Sequence, residues 1–338
     1  MTTIFGILGL GLLMIAHESG HYLAARAFHM RVTRFSIGFG PALIRHTPKG
    51  SPTTYQVAII PLLAYVQIAG MNPLEDIDPK DEGSYANASL IGRVVTIFSG
   101  PLANYLFASV LFFGSMLVSG QGTPTTRVEV LPTGAAAAAQ VKSGDKIVEV
   151  NGKAITDWSQ MRALIAGYPD KTIDLVVERE GQLLHIPVTP KAERGEGRIG
   201  VQTIPRPLTV GDAVTYAVKQ PAELTAETVV GIGRMLTGRQ KPDLAGPVGI
   251  IRETTNAAKA GLAQYLFLLG LISTSLAVFN LLPIPALDGG RLMFLAYEAT
   301  TRRRPNPKIE AQVNAVGLLM MLALVVVVTF VVDLPNNH

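Results

Sequence analysis

Residues 2–27 read TTIFGILGLGLLMIAHESGHYLAARA. From Met1 to Ala25 the only charged side chain is Glu18. A helix needs about 20 apolar residues to cross a hydrocarbon core about 30 Å thick, so this run predicts a transmembrane helix. A cleaved signal peptide fits less well. The run has no basic leading segment, and His17, Glu18 and His21 fall where an uninterrupted apolar region should lie.

Three further stretches are nearly or wholly free of charge: 94–126, 260–287 and 311–332. The four together predict transmembrane helices near 2–27, 93–119, 262–283 and 311–333. They explain why 48% of the 338 residues are hydrophobic and only 16% charged, against about 25% charged in soluble domains. The chain has no cysteine, which excludes disulfides, thiolate metal ligands and a cysteine nucleophile. The net charge of +4 is small, and no basic stripe interleaved with aromatics points to nucleic acid.

Loop charge orients the spans. The 26–93 connection, counting the ends of the two flanking spans, carries Arg26, Arg31, Arg34, Arg45, Lys49, Lys80 and Arg93. Arg291, Arg302, Arg303, Arg304 and Lys308 fall between the third and fourth. Both connections are therefore expected in the cytoplasm, with both termini and the long 120–260 segment outside it. The expected organisation is a membrane domain in two parts, 1–119 (with a cytoplasmic hairpin loop over 30–90) and 261–338. Between them lie an extracytoplasmic domain, 120–205, and a helical linker, 206–260.

Within the insert, 128–131, 146–150, 173–178 and 183–188 have strand composition. Asn151-Gly152 and Glu180-Gly181 are turn signals. Residues 157–166 predict a short helix with Trp158, Met161, Leu164 and Ile165 on one face. The run Gly144-Asp145-Lys146-Ile147-Val148-Glu149-Val150-Asn151-Gly152, with Ala135 to Ala139 before it, resembles the PDZ domains of bacterial proteases. PDZ domains bind extended peptides by strand addition, so a peptide or a substrate ectodomain is the expected partner. Residues 208–240 predict an amphipathic helix with a kink at Pro221. It is not counted as a fifth span, because an odd number would invert the last two.

The chemistry is concentrated in His17-Glu18-Ser19-Gly20-His21. Positions i and i+4 of a helix share a face, so both imidazoles can bind one zinc, and Glu18 beside them can take a proton from the attacking water. Three ionisable groups within one turn of a spanning helix are costly and call for a functional reason. Catalytic zinc usually takes three protein ligands. His29 and His46 qualify by residue type but lie in the first cytoplasmic loop. Asp288 is the better candidate. The third helix runs parallel to the first, and Pro283 and Pro285 break it at a depth where irregular backbone can line a wet cavity.

These features together resemble the bacterial site-2-type intramembrane zinc metalloproteases over nearly the whole length. The resemblance rests on the histidine–glutamate motif, Phe39-Gly40-Pro41, Gly100-Pro101-Leu102-Ala103-Asn104, Gly246-Pro247-Val248-Gly249-Ile250 and the run from Asn280 to Gly290. It implies Zn2+ held by His17, His21 and Asp288, Glu18 as general base, and Asn104 and Asn280 as substrate contacts. Two departures stand out. Pro61-Leu62-Leu63-Ala64-Tyr65-Val66 replaces the usual Pro-Leu-Gly-Gly-Tyr-Val, and a single PDZ-like domain is found where many relatives have two.

The expected fold is thus a polytopic α-helical membrane protein with four transmembrane helices, a membrane-associated β-hairpin loop and an inserted α+β PDZ-like domain. The expected place is the bacterial inner membrane, with the zinc site toward the cytoplasm. The expected substrate is a single-pass membrane protein already trimmed on its outer side, of the anti-sigma factor or remnant signal peptide class. The β-prone 55–69 segment is expected to form a hairpin whose edge pairs with the unwound substrate. A catalytically silent PDZ-bearing scaffold would be expected to have lost one of His17, Glu18, His21 and Asp288, and all four are intact. A transporter would show charges paired along several helices and internal repeats, and neither is found.

Overall fold

The computed structural model describes residues 2–76, 78–120, 125–193, 195–204, 208–238 and 246–333. The chain falls into two units, Met1–Val118 with Val214–His338, and Ser119–Ala213. The tail after Asp333 and the end of the expected 208–240 helix lie outside the described residues.

In the first unit, α1 (Thr2–Ala27) leads into β1 (Val32–His46) and β2 (Thr54–Ile68), and α2 (Leu90–Ser119) follows. Four helices are long and apolar enough to cross a membrane: Ile4–Ala27, Leu90–Ser119, Leu262–Leu281 and Pro307–Asp333. They match the four expected spans within a few residues. With the strands beside them, they make this a membrane protein of helices plus sheet.

The 32–68 region is more elaborate than a hairpin within 55–69. β1 and β2 pair antiparallel, Val32 opposite Ile68 and His46 opposite Tyr55. Residues 34–37 also lie beside 54–57, in step with them. Each strand therefore bends at its middle, and four short segments line up in the order 42–46, 54–58, 32–37, 64–68. Gly38 and Gly40, at φ of +92° and +95°, sit at the bend of β1, where side-chain-bearing residues would be strained. Segment 64–68 forms one edge. Ala25, Met30, Val32 and Ile68 pack the base of this sheet against the end of α1.

In the second unit, β3 (Val128–Val130) precedes α3 (Ala135–Ala138), β4 (Lys146–Val150), β5 (Lys153–Ala154) and α4 (Trp158–Ala166). Then come β6 (Ile173–Arg179), β7 (Gln182–Val188), β8 (Lys191–Glu193), β9 (Glu196–Arg198) and β10 (Val201–Thr203). The main sheet has the order β5-β4-β6-β7, and β10 pairs with β3. Ile147, Val150, Met161, Ile165, Leu175 and Val177 meet in its core. Asp157 caps α4 by accepting a hydrogen bond from the Gln160 N–H, a usual helix-start device.

The chain continues with α5 (Val210–Leu236), α6 (Pro247–Ala260), α7 (Leu262–Leu281), α8 (Asp288–Thr301) and α9 (Pro307–Val328). α5 passes through Pro221 and packs Ala217 and Tyr216 on Ala108 and Phe112 of α2. α6 lies close enough to α1 that a Cβ on Gly6 would meet the Thr254 and Thr255 hydroxyls at 3.2 and 3.1 Å. Both helices pack against the membrane unit. Leu13, Leu111 and Leu269 join α1, α2 and α7. Two interhelical hydrogen bonds reinforce that contact, Ser115 Oγ donating to Ala263 O and Ser273 Oγ to Asn104 O, each at 2.8 Å. Such polar contacts count between helices in lipid, where apolar burial alone gives little drive to associate.

Candidate metal centre

α1 places His17 and His21 one turn apart, and both are buried. Their Nε2 atoms are 3.2 Å apart. Asp288 begins α8, and its Oδ2 lies 3.2 Å from His17 Nε2 and 3.4 Å from His21 Nε2. That buried oxygen accepts no hydrogen bond. Among the described residues, these three form the only cluster of metal-ligating side chains. His29, in the left-handed region just after α1, and His46, at the end of β1, are exposed and take no part.

Local sequence accounts for the convergence. A Cβ on Gly100 would overlap the imidazole of His21 and come within 2.9 Å of His17 Cε1. Only glycine on α2 leaves room for both rings. A Cβ on Gly20 would overlap the Ser99 carbonyl, so this glycine lets α1 and α2 approach closely. After α7, residues 282–287 fold back over the first turn of α8, where a Cβ on Gly289 would overlap the carbonyls of Leu282 and Leu281 and one on Gly290 that of Ile284. Ala286 takes a left-handed φ of 73° in that turn, and its N–H donates to Asn314 Oδ1. Asp288 is delivered by this tight loop.

Hydrogen bonds behind the rings orient them. His21 Nδ1 lies 2.8 Å from the Thr96 carbonyl. A carbonyl only accepts, so Nδ1 carries the proton and Nε2 presents its lone pair to the cluster. Asn104 is fully buried, with Nδ2 3.4 Å from His17 Nδ1 and Oδ1 without a partner. Turning that amide by 180° brings Oδ1 to Nδ1–H and gives His17 the same tautomer as His21.

Glu18 lines the same cavity as the two rings. Its Oε2 accepts a hydrogen bond of 2.9 Å from the Val66 N–H, on edge segment 64–68. Glu18, Tyr65, Asn280, Asp288 and Arg291 line a cavity of about 310 Å³ that also contains both histidines. Of the two asparagines expected to touch substrate, Asn280 lines this cavity and Asn104 sits behind His17.

Several residues of the site had no sequence signal of their own. Thr96 and Val66 act through backbone atoms. Arg93 served only as a marker of loop charge, yet it makes a bidentate pair with Glu298 of α8, at 2.9 and 2.6 Å. The 284–310 connection, expected as a short loop, contains the 14-residue α8.

A carboxylate is thus brought to two imidazoles among apolar helices, with a second carboxylate, Glu18, lining the same cavity. The sequence model of Peptidase family M50 matches residues 5–324, and the chain belongs to that family, the site-2 proteases. A Nostoc sp. protein bearing a zinc-metalloprotease name is 32% identical, over 96% of this chain and 93% of its own. Zinc metalloprotease RasP of Geobacillus kaustophilus is 28% identical, over 95% and 94%. Regulator of sigma-W protease RasP of Bacillus subtilis is 28% identical, over 97% of each. The protein is a zinc metalloprotease, and Zn2+ is its metal.

The residues present fit that ion. Tetrahedral zinc with bonds of roughly 2.0–2.1 Å to nitrogen or oxygen sets its ligand atoms about 3.3–3.4 Å apart. The Nε2, Nε2 and Oδ2 atoms here are separated by 3.2, 3.2 and 3.4 Å. Two neutral imidazoles and one carboxylate form a donor set suited to zinc.

Proposed function

We propose that the protein hydrolyses a peptide bond within or next to the transmembrane segment of a single-pass membrane protein already trimmed on its outer side, with His17, His21 and Asp288 holding Zn2+ and Glu18 as general base. The observation that carries this reading is the near-equilateral triangle of three buried ligand atoms with Glu18 beside it in the same cavity. Zinc bound there supplies Lewis acidity at the scissile carbonyl and lowers the pKa of a coordinated water toward about 7. Glu18 takes the proton from the attacking water and passes it to the leaving nitrogen. With Oε2 held by the Val66 N–H, Oε1 is the oxygen left for that transfer.

A transmembrane helix hides its carbonyls in its own hydrogen bonds, so the substrate must unwind before attack. The outer edge of segment 64–68, beside Glu18, offers a template on which an unwound segment can pair as an added strand. Asn280, lining the cavity, contacts that substrate, while Asn104 holds His17. Loop charge sets both termini outside the cytoplasm and the zinc site toward its inner face, so cleavage releases a cytosolic fragment. Substrates of the anti-sigma factor or remnant signal peptide class fit this outcome, and the Bacillus subtilis relative is named for sigma-W regulation.

The second unit acts as a PDZ domain. The 144–152 run forms β4 and the turn after it. A groove of about 400 Å³ runs between α4, through Trp158, Met161 and Ile165, and β10, through Val201 and Gln202. β10 pairs with β3 on one side only, so an extended peptide can join it there.

The test is to purify the protein in detergent, measure bound zinc, and compare cleavage of a transmembrane model substrate by wild type and Glu18→Gln. Zinc in both proteins and cleavage by wild type alone are expected. Wild type without zinc, or equal cleavage by the variant, would overturn the assignment.

A further inference from the structure

Next to the zinc cavity lies a second and larger one, of about 480 Å³. Two residues line both, Met71 and Arg291. Arg291 is three positions after Asp288 on α8, so the two side chains lie on neighbouring positions of one helix face.

The charges of the larger chamber are mostly committed. Arg93 is held by both oxygens of Glu298, and Arg304 reaches the same carboxylate at 3.5 Å. Arg291 differs. Among the described residues its guanidinium makes no hydrogen bond and no ion pair within 4 Å, although its charge reaches Glu310, which also lines the chamber. A cation whose donors are not taken up by a hydrogen bond, at the junction of two cavities, is positioned for an anion passing between them.

The reaction makes one. Hydrolysis breaks the C–N bond and forms a C–O bond with the oxygen of water. The acyl half leaves as a carboxylate, and the amine half takes up a proton as an ammonium. The carboxylate is produced at the zinc ligands, where it would also block the next turnover. Guanidinium is the side chain best shaped to take it, through two parallel charge-assisted hydrogen bonds.

We propose that Arg291 is the binding residue for the carboxylate terminus of the N-terminal cleavage product, drawing it from the zinc cavity toward the adjoining chamber. This rests on the hydrolytic reading above.

The test uses the zinc-loaded full chain in detergent and two fluorescent peptides matching the N-terminal product of the model substrate. One ends in a free carboxylate and the other in an amide. Affinities are measured by anisotropy for wild type, Arg291→Gln and Arg291→Lys, with zinc content determined for each. Zinc itself favours the acid, so the informative quantity is the change in the acid-over-amide ratio. That ratio should fall about tenfold or more in Arg291→Gln, the scale of a lost hydrogen bond to a charged group, and recover in part in Arg291→Lys, with zinc unchanged. A zinc-loaded Arg291→Gln that keeps the wild-type ratio overturns the proposal, as does one that weakens both peptides equally, the mark of a purely structural role. If Arg291→Gln loses zinc, Arg291→Lys decides: a ratio identical to wild type overturns the assignment, and a reduced one supports it. Wild type lacking zinc or cleavage would instead refute the hydrolytic reading itself.

Discussion

Glu298→Gln should loosen the seat of Asp288 from a distance. Arg93 on α2 and Glu298 on α8 form a bidentate pair with side chains only 8% and 15% exposed, and Arg93 Nε has no partner of its own. α2 carries Thr96, which orients His21, and α8 carries Asp288 ten residues before Glu298, about 15 Å along a helix rising 1.5 Å per residue. The pair therefore ties together the two helices that complete the cluster. Removing one partner of a buried ion pair costs about 3–5 kcal/mol, because the other charge is left uncompensated. Glutamine keeps one acceptor for Arg93, so about 2–3 kcal/mol is expected here, and alanine should reach the full range. The exposed Arg304 contact contributes little. The assay is thermal unfolding in detergent together with zinc competition against a chelator. A clearly lowered midpoint and about tenfold weaker zinc binding are expected, in the range seen for groups that support metal ligands. The pH dependence adds a check. The Arg93 guanidinium holds the Glu298 carboxyl below its ordinary value, against the upward push of burial. Its stabilisation is thus fully present above the unfolded value of about 4.3 and is lost as pH falls through the lower folded value. Glu298→Gln should remove that acid-side loss. Unchanged unfolding and zinc affinity in both Glu298→Gln and Glu298→Ala would refute the reasoning.

Gly100→Ala should abolish zinc binding, since its Cβ would overlap the His21 ring; elemental analysis of the purified variant checks this, and full zinc occupancy would contradict it. Asn104→Ala should weaken zinc binding about 10–100-fold through loss of the contact behind His17, seen by chelator competition, while Asn280→Ala should leave zinc affinity unchanged and raise KM. In the second unit, burial pushes the Asp145 carboxyl up, but the Arg179 guanidinium and the Lys142 N–H outweigh it and hold it below the usual range. Asp145→Asn should therefore destabilise that unit by about 3 kcal/mol at neutral pH, the lower end of the cost of breaking a buried pair, and by less as pH falls through the folded value; limited proteolysis across pH would show it.

The parts legible in the sequence are those that physics fixes locally. A bilayer demands a set length of apolar helix, so four uncharged runs located the spans, and α1 matched 2–27 residue for residue. The i, i+4 spacing put His17 and His21 on one face without any tertiary knowledge. Asp288 followed from the direction of the third span and the prolines that end it. In the insert, turn dipeptides and β-branched runs located β4, β6 and β7 to within a residue or two. What the sequence did not disclose depends on where a patterned face goes. The β-prone 55–69 run pointed to a hairpin of its own, but its partners are 32–37 and 42–46, and the bend that allows this comes from Gly38 and Gly40. The amphipathic pattern of α5 was plain, yet nothing local says that Ala217 meets Phe112. Arg93 and Glu298 are 205 positions apart, and no local rule pairs them.

Glu18 carries two duties that a histidine–glutamate motif alone does not reveal. It is the acid–base group of the proposed reaction, and it is also the acceptor that holds edge segment 64–68 at Val66. The strand on which a substrate would be laid is thus fixed by the side chain that would activate the attacking water. This coupling removes a freedom that would otherwise be costly. If the sheet slid by one residue, every side chain of 64–68 would exchange faces, and the scissile bond would move by about 3.3 Å, one strand residue, relative to the metal ligands. A base anchored on the strand keeps the two in register, in the way that reacting groups must be held close to their productive geometry for proximity to count. It also explains why glutamine at position 18 is the cleaner probe of proton transfer. The amide oxygen can still accept from Val66, so the template stays in place while the base is removed, whereas alanine would remove both together.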